Sequence, residues 1–378
     1  MTRRQTLALV GGGTIVAATA GIGWEITRPL TTALTPWSHA GNYDDPRMRA
    51  VSWAILAPNS HNMQPWKVDL KTSDQVVVYA DLDRMLPETD PYNRQITISL
   101  GCFLELMRLA ALEDGLGVET LLFPEGSDPA ALDGRPVAVC SFAPTTEQAD
   151  PLFAYAAMRR SNKEPYDLQR PVPNEVLERI AAAANNTEIS MTGDPKEVAD
   201  LRALTVRAME IEIDTPHTFG ESVDLFRIGR REVEANPDGL EFHGPTFEAM
   251  RLFGLFTRQA ARDPGSTAFA QGRTATTEPI ATAMAHIWQV TPDNSRQTQI
   301  ASGRDWLRVQ LAAVQEGIGF HPLSQGLQEY PEMAEIYADL HARLAPDGGT
   351  VQMLSRLGYG PEIGPTPRWP LEAKILDG

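Results

Sequence analysis

Cysteine is nearly absent from this chain: Cys102 and Cys140 are the only two among 378 residues. No CxxC occurs, and no Cys/His cluster has the spacing of a zinc or iron–sulfur site. Spacing does not decide whether the two thiols pair. Two buried thiols are the plainer reading, because free cysteine is among the most buried residue types. Positive charge is scarce as well: 33 Lys and Arg stand against 49 Asp and Glu, a formal net charge of -16. That excess argues against nucleic acid as a partner, since phosphate backbones demand a surplus of cations. It also argues against adsorption to an anionic membrane surface, but leaves room for one basic pocket that holds a single phosphate. No Ser-His-Asp set or carboxylate pair stands out.

No acidic residue occurs before Glu25. Instead Arg3-Arg4 precedes a Gly- and Ala-rich apolar stretch from Leu7 to Ile22. A basic start before a weakly hydrophobic run describes a secretory signal, and the Arg pair specifies the twin-arginine route. Ala18-Thr19-Ala20 is a candidate cleavage site. The run is short and thin against the ~20 apolar residues of a membrane span, although an uncleaved anchor is the competing reading. The expectation is a signal segment over 1–27 and export by the twin-arginine machinery, leaving the protein in the periplasm or anchored facing it.

Length exceeds the ~250–300 residues at which single cores stop growing, so two packed units are expected. Residues 28–45 read as a linker. Helical spacing begins near Pro46, strands are expected over 64–70, 75–80 and 136–142, and a strongly apolar helix covers 98–112. The second half offers helices over 152–160, 174–184, 195–213 and 302–315, with strands at 188–192 and 285–291. Residues 214–282 have no clean period and read as a lid or insertion. The domain expectation is 46–150 for the first half and 151–378 for the second.

Residues 99–117 and 301–319 match at a shift of 202. Gly101, Leu109, Ala110, Ala111, Gly115 and Gly117 fall on Gly303, Leu311, Ala312, Ala313, Gly317 and Gly319. Duplication explains six identities in one register better than two unrelated helices do.

Three constellations could carry chemistry. Ala57-Pro58-Asn59-Ser60-His61-Asn62-Met63-Gln64-Pro65-Trp66 offers amides and hydroxyls without a carboxylate, suited to a neutral heteroaromatic edge and a polyol chain. A turn braced by Asx-type bonds would account for Asn59 and Ser60 alone. Arg159-Arg160-Ser161-Asn162-Lys163 places three cations and a hydroxyl after a helix end. That suits a phosphate, or equally complements a helix dipole. Gly319-Phe320-His321-Pro322-Leu323-Ser324 and the late Arg368 are the third.

Taken together, these stretches resemble the FMN-dependent nitroreductase superfamily over roughly residues 46–375. APNSHNMQPW resembles its APSSxNxQPW signature, RRSNKEPY its basic–serine–basic phosphate motif, and LGYGP with PTPR its C-terminal arginine segment. His321 to Met333 resembles the corresponding stretch of the Acg-like branch. The resemblance implies an α+β fold in which two antiparallel-sheet and helix halves form an intramolecular pseudo-dimer. It implies one FMN held by Pro58, Asn59, Ser60, Asn62 and Gln64 at the ribityl chain and ring edge. Arg159, Ser161 and Lys163, with Arg160 and Arg368, would hold the phosphate, and Pro322, Leu323 and Ser324 would approach the ring face. His61 departs from the family pattern and receives no catalytic role. The activity implied is hydride transfer from NAD(P)H through FMN to a nitro, quinone or similar acceptor, in a monomeric chain. The alternative is an FMN-binding or sequestering protein without turnover, and a third is a structural domain that has lost its flavin.

Overall fold

The computed structural model describes residues 27–376. The signal segment and its cleavage site therefore lie outside the described residues, apart from Thr27. The first half runs α1 (Thr35–His39), α2 (Pro46–Ala54), β1 (Trp66–Asp69), β2 (Gln75–Ala80), α3 (Arg94–Glu113), β3 (Leu116–Leu122) and β4 (Ala138–Pro144). The second runs α4 (Asn174–Ala181), β5 (Glu188–Thr192), α5 (Pro195–Asp214), α6 (Pro216–Asp224), β6 (Phe226–Ile228), α7 (Arg230–Ala235) and β7 (Leu240–Phe242). It continues with α8 (Pro245–Leu252), α9 (Arg258–Arg262), α10 (Thr267–Ile280), β8 (Ala285–Thr291), α11 (Arg296–Gln315), β9 (Gly319–Pro322), α12 (Ala334–Leu344) and β10 (Thr350–Gly358).

The class is α+β. One sheet has the order β1-β2-β4-β3 and the other β5-β8-β10-β9, with every neighbour antiparallel. Each half thus has two strands, a long helix and two strands in the same sequence and the same sheet order. The difference is the connection after the first strand. It is a short turn between β1 and β2, but between β5 and β8 it carries α5 and the whole stretch through α10.

Both long helices start one to two turns earlier than their apolar runs suggest, because Arg94 and Arg296, again 202 apart, begin them as buried cations. The two helices cross at the repeat-related glycines. A Cβ on Gly303 would lie 1.9 Å from Ile98 O, and one on Gly101 2.2 Å from Ile300 O. Only glycine permits that backbone approach. At the other end Gly115 and Gly317 take φ of +69° and +67°, the left-handed exit that glycine supplies without strain. α3 is apolar and long enough to cross a membrane, yet 94% of its apolar window is buried inside the protein. It is the centre of one continuous core that draws Trp66 and Phe103 from the first half and Trp306 and Phe320 from the second.

Three stretches differ from expectation. Residues 28–45, read as a linker, carry a 3-10 turn over Thr32–Leu34 and α1. Residues 151–158 form a 3-10 helix rather than an α-helix. Residues 214–282 are not irregular: they fold into short helices and the parallel pair β6–β7 around Phe226, Phe256 and partly buried Phe242 and Phe247. Aromatic residues on short elements give such a core no period to read.

Candidate functional site

The loop between α2 and β1 is the most distorted backbone in the first half. His61, Asn62 and Gln64 take φ of +46°, +53° and +53°, each costing a non-glycine residue ~1–2 kcal/mol. The loop is held open by its own side chains. Asn59 Oδ1 accepts from Gln64 N at 2.7 Å, and Asn59 Nδ2 donates to Ala57 O at 3.1 Å. Asn62 Nδ2 donates to Pro367 O at 3.0 Å while its Oδ1 accepts from Arg368 at 2.6 Å. Fully buried Gln64 donates to Pro237 O at 2.8 Å and accepts from Trp369 N at 2.9 Å. Asn59, Asn62 and Gln64, expected along a ribityl chain and ring edge, are therefore committed to bracing loop, insertion and tail. The physical reason is that Pro237, Pro367 and Trp369 bring their peptide groups against the loop, where the Asn62 and Gln64 amides meet them. Ser60 instead faces α3: its N–H donates to Ser99 Oγ at 3.2 Å and its hydroxyl to Gln95 Oε1 at 3.4 Å. Pro58, at the start of the loop, is half-buried.

Gln95 links this loop to the third constellation, because its Nε2 donates to Ser324 O at 3.4 Å. Pro322 ends β9 opposite Ser355. Buried Leu323 donates its N–H to Leu354 O at 2.8 Å. Ser60, Gln95 and Ser324 therefore form one polar contact between the halves.

The second constellation is the centre of the site. Arg159 is buried and donates to Gln310 Oε1 at 3.1 Å and Leu56 O at 3.3 Å. Arg368 is buried and donates to Ile55 O at 3.1 Å and Ala57 O at 3.2 Å, so it ties the tail to the end of α2. Arg160 lies over the Trp37 ring at 4.6 Å, and Arg368 approaches the same ring at 5.6 Å. The Arg160 Nε is buried without a hydrogen-bond partner. Among the described residues, the partners found for these three guanidiniums are carbonyl and amide oxygens, the Asn62 amide and the Thr366 hydroxyl, and the carboxylate Glu241 acts on Arg368 only from farther off. Burial, then the charge of Arg160, lowers Arg159 to about 10. Burial, then Arg159, lowers Arg368 to about 9. All three still carry charge at neutral pH, so the interior holds a concentration of positive charge that calls for an anion.

Ser161 is half-buried and Lys163 exposed. Burial, then Lys163, lowers His61 to about 4. His321 is likewise held well below the ordinary range by burial, then by Arg356 and Lys163. Arg356 Nε donates to His321 Nδ1 at 2.9 Å. An arginine can only donate, so the ring proton of neutral His321 sits on Nε2. Lys163, His61 and His321 thus share one neighbourhood, beside the arginines and the Ser60–Ser324 contact.

The second half has a counterpart of the amide loop between α4 and β5, and it is closed. Asp305 accepts from Asn185 N at 2.9 Å, Asn186 N at 2.7 Å and Thr187 Oγ1 at 2.8 Å. The donors of this loop are thus taken up by Asp305.

Three contributors escaped the sequence reading. Trp37 sits in the stretch taken for a linker, Gln95 in an otherwise apolar helix, and Gln310 on the far helix. No local pattern marks a residue whose partner lies in the other half.

No family model matches the chain. It is 24% identical over 336 residues to "Putative NAD(P)H nitroreductase Rv3131" of Mycobacterium tuberculosis, covering 84% of this chain and 87% of that protein. It is 33% identical over 90 residues to "Putative NAD(P)H nitroreductase acg" of the same organism, covering 23% of this chain and 27% of that one. Among solved structures, the FMN-dependent nitroreductase NfnB from Mycobacterium smegmatis in complex with NADPH is 17% identical, covers 58% of this chain and 94% of its own, and superposes with a TM-score of 0.32. At that score the likeness is loose, and the fold stands on the sheets and helices described above. The likeness over most of both chains is to a protein named as a putative nitroreductase.

Proposed function

We propose that this chain is an FMN-dependent oxidoreductase of nitroreductase type, a single-chain pseudo-dimer with one flavin site between unequal halves. The observation that carries the reading is the set of buried Arg159 and Arg368 with half-buried Arg160, three guanidiniums with no carboxylate among the described residues at ion-pair distance and only Glu241 acting on Arg368 from farther off. An FMN phosphate supplies the missing charge and accepts the fork of an arginine. Ser161 and Lys163 extend that set, Pro58 and Ser60 would line the approach from the first half, and Pro322 to Ser324 would line it from the second. Bound FMN would supply hydride chemistry. The chain would bind it, orient it and keep water out. Neutral His321, with its proton fixed on Nε2, would be a hydrogen-bond donor in this neighbourhood that cannot itself become a cation at neutral pH.

The electron donor in this reading is NAD(P)H and the acceptor a nitro compound, quinone or similar molecule. The N-terminal segment would send the folded, flavin-loaded protein through the twin-arginine route to the periplasm.

A second reading is an FMN-binding protein without turnover. It is favoured by Gln64, whose side chain is tied to Pro237 of the insertion rather than turned toward a ring. Purified protein is expected to be yellow and to release FMN on denaturation. A colourless preparation that refuses added FMN sinks both readings. Rapid mixing of the anaerobic flavoprotein with NADPH separates them: bleaching of the flavin absorbance supports the oxidoreductase, and a yellow solution that never bleaches supports the binding protein.

A further inference from the structure

A cavity of about 580 Å³ lies where the first half, the insertion and the second half meet. Its size falls in the range of small-molecule sites, ~300–1,000 Å³. It is lined by Tyr92, Tyr330 and Tyr337, by His217, and by Glu88 and Glu329, with prolines between them. Tyr92 is half exposed, so its ring is available at the rim.

The charges around it do not balance. Glu88 faces His217 Nδ1 at 2.8 Å, and Glu332 faces Nε2 of the same ring at 3.4 Å. Glu329 meets Arg94 at 3.2 Å. Arg94 is the permanent cation of the group, and its remaining nitrogens point inward, donating to Gln352 O at 2.7 Å and to Leu327 O. Three carboxylates therefore share Arg94 as the one cation at contact distance, with Arg296 acting on Glu329 from farther off. Beneath the floor the imbalance continues. Gln328 and Tyr330 both line the cavity and are each 4% exposed. Gln328 Oε1 is buried with no hydrogen-bond partner, while Glu212 behind it reaches Gln328 and Ser222, and Tyr330 reaches Thr218. The inner wall thus presents one amide oxygen whose lone pairs no donor satisfies.

We infer that this cavity binds an organic cation, an ammonium or methylated ammonium group carried on a small aromatic or aliphatic body. Tyrosine faces attract such a group through their quadrupoles, and the carboxylates add charge. A bare metal ion is a poor fit, because among the described residues no group of three or more His, Cys, Asp or Glu is placed to hold one. Anions, including phosphorylated nucleotides, meet like charge. The inference does not rest on the flavin reading, since none of its residues belongs to the arginine set.

The test is calorimetric titration of the purified chain with benzyltrimethylammonium, benzyl alcohol and benzenesulfonate at low salt. The cation is expected to saturate a single site at least tenfold more tightly than either of the others. Glu88→Gln and Tyr92→Ala are each expected to weaken it at least threefold, with the thermal midpoint and flavin content unchanged. Absence of cation binding, equal affinity for the three probes, or full affinity in both variants overturns the inference. Flavin content, measured on the same samples, reports separately on the cofactor site.

Discussion

Arg160 is the residue whose removal best separates binding from folding. It is half-buried, stacked on Trp37, and makes its two hydrogen bonds to the carbonyls of Ala157 and Arg159. Charge-assisted hydrogen bonds contribute ~1.5–3 kcal/mol. Arg160→Ala is thus expected to weaken FMN binding by about tenfold or more in a fluorescence titration. The flavin-free protein should keep or gain thermal stability, because a like charge beside Arg159 and Arg368 is gone. A loss of stability without a loss of affinity would contradict the assigned role. Glu212 supplies a pH test. Burial pushes its carboxyl from 4.5 up to about 7. The folded chain then holds a proton that the unfolded chain has released between those values, so this group makes stability fall as pH rises from about 4.5 to 7. At ~1.4 kcal/mol per pH unit, the effect is on the order of 3 kcal/mol. Glu212→Gln is expected to remove that decline in denaturant titrations at about pH 5 and about pH 8, leaving the variant the more stable of the two at the higher pH.

Among the elements, the insertion is held down at one carboxylate. Asp238 is buried and accepts from Arg84 at 2.6 Å, Arg227 at 2.6 Å and Trp369 Nε1 at 2.7 Å. Burial alone would raise its pKa, but hydrogen bonds from Arg84 and Trp369 and the charge of Arg227 hold it below the ordinary range. Next to it, Gly239 N donates to Asn62 O at 3.3 Å, and Pro237 O takes the Gln64 amide. Breaking a buried ion pair from one side costs ~3–5 kcal/mol. Asp238→Ala should therefore expose residues 214–282 to limited proteolysis and speed FMN exchange, while the core helices stay protected. Unchanged proteolysis would mean that the aromatic core of the insertion holds it without this contact. The crossing of α3 and α11 is less forgiving. Gly303→Ala places a methyl 1.9 Å from Ile98 O, inside any tolerable contact. Overpacking of this kind costs ~1–3 kcal/mol, and more where backbone must move. The denaturation midpoint is expected to fall accordingly, with both sheets affected because they share one core.

For the whole molecule, the decisive quantity is flavin stoichiometry. Two halves of matching topology would ordinarily build two sites, yet the second loop is occupied by Asp305 and its four donors from Asn185, Asn186 and Thr187. One FMN per 41.4 kDa chain is expected from absorbance on a monomeric size-exclusion peak. Two per chain would mean that the Asp305 loop opens. The large negative net charge fits this layout. Acidic residues populate the surface and the tyrosine-lined cavity, while the unneutralised cations are gathered inside.

What could be read directly from the chain is what local chemistry dictates. The repeat between residues 99–117 and 301–319 located both central helices, and two of its three glycine pairs fell on the one crossing and the two exits that require glycine. Alternating apolar residues marked strands such as 75–80 and 285–291, and the clustered cations at 159–163 marked where two of the buried or half-buried guanidiniums gather in an acidic chain. The remainder depends on which distant groups meet, and only folding settles that. Asn62 and Gln64 have the right chemistry for a cofactor, but the approach of Pro237, Pro367 and Trp369 directs them to the protein itself. Trp37 joins the site only because its ring lies over Arg160, a residue more than a hundred positions away. The insertion acquires an aromatic core that no periodicity announces. Side-chain type is written in the chain, but a side chain's partner is set by the packing of segments hundreds of residues apart.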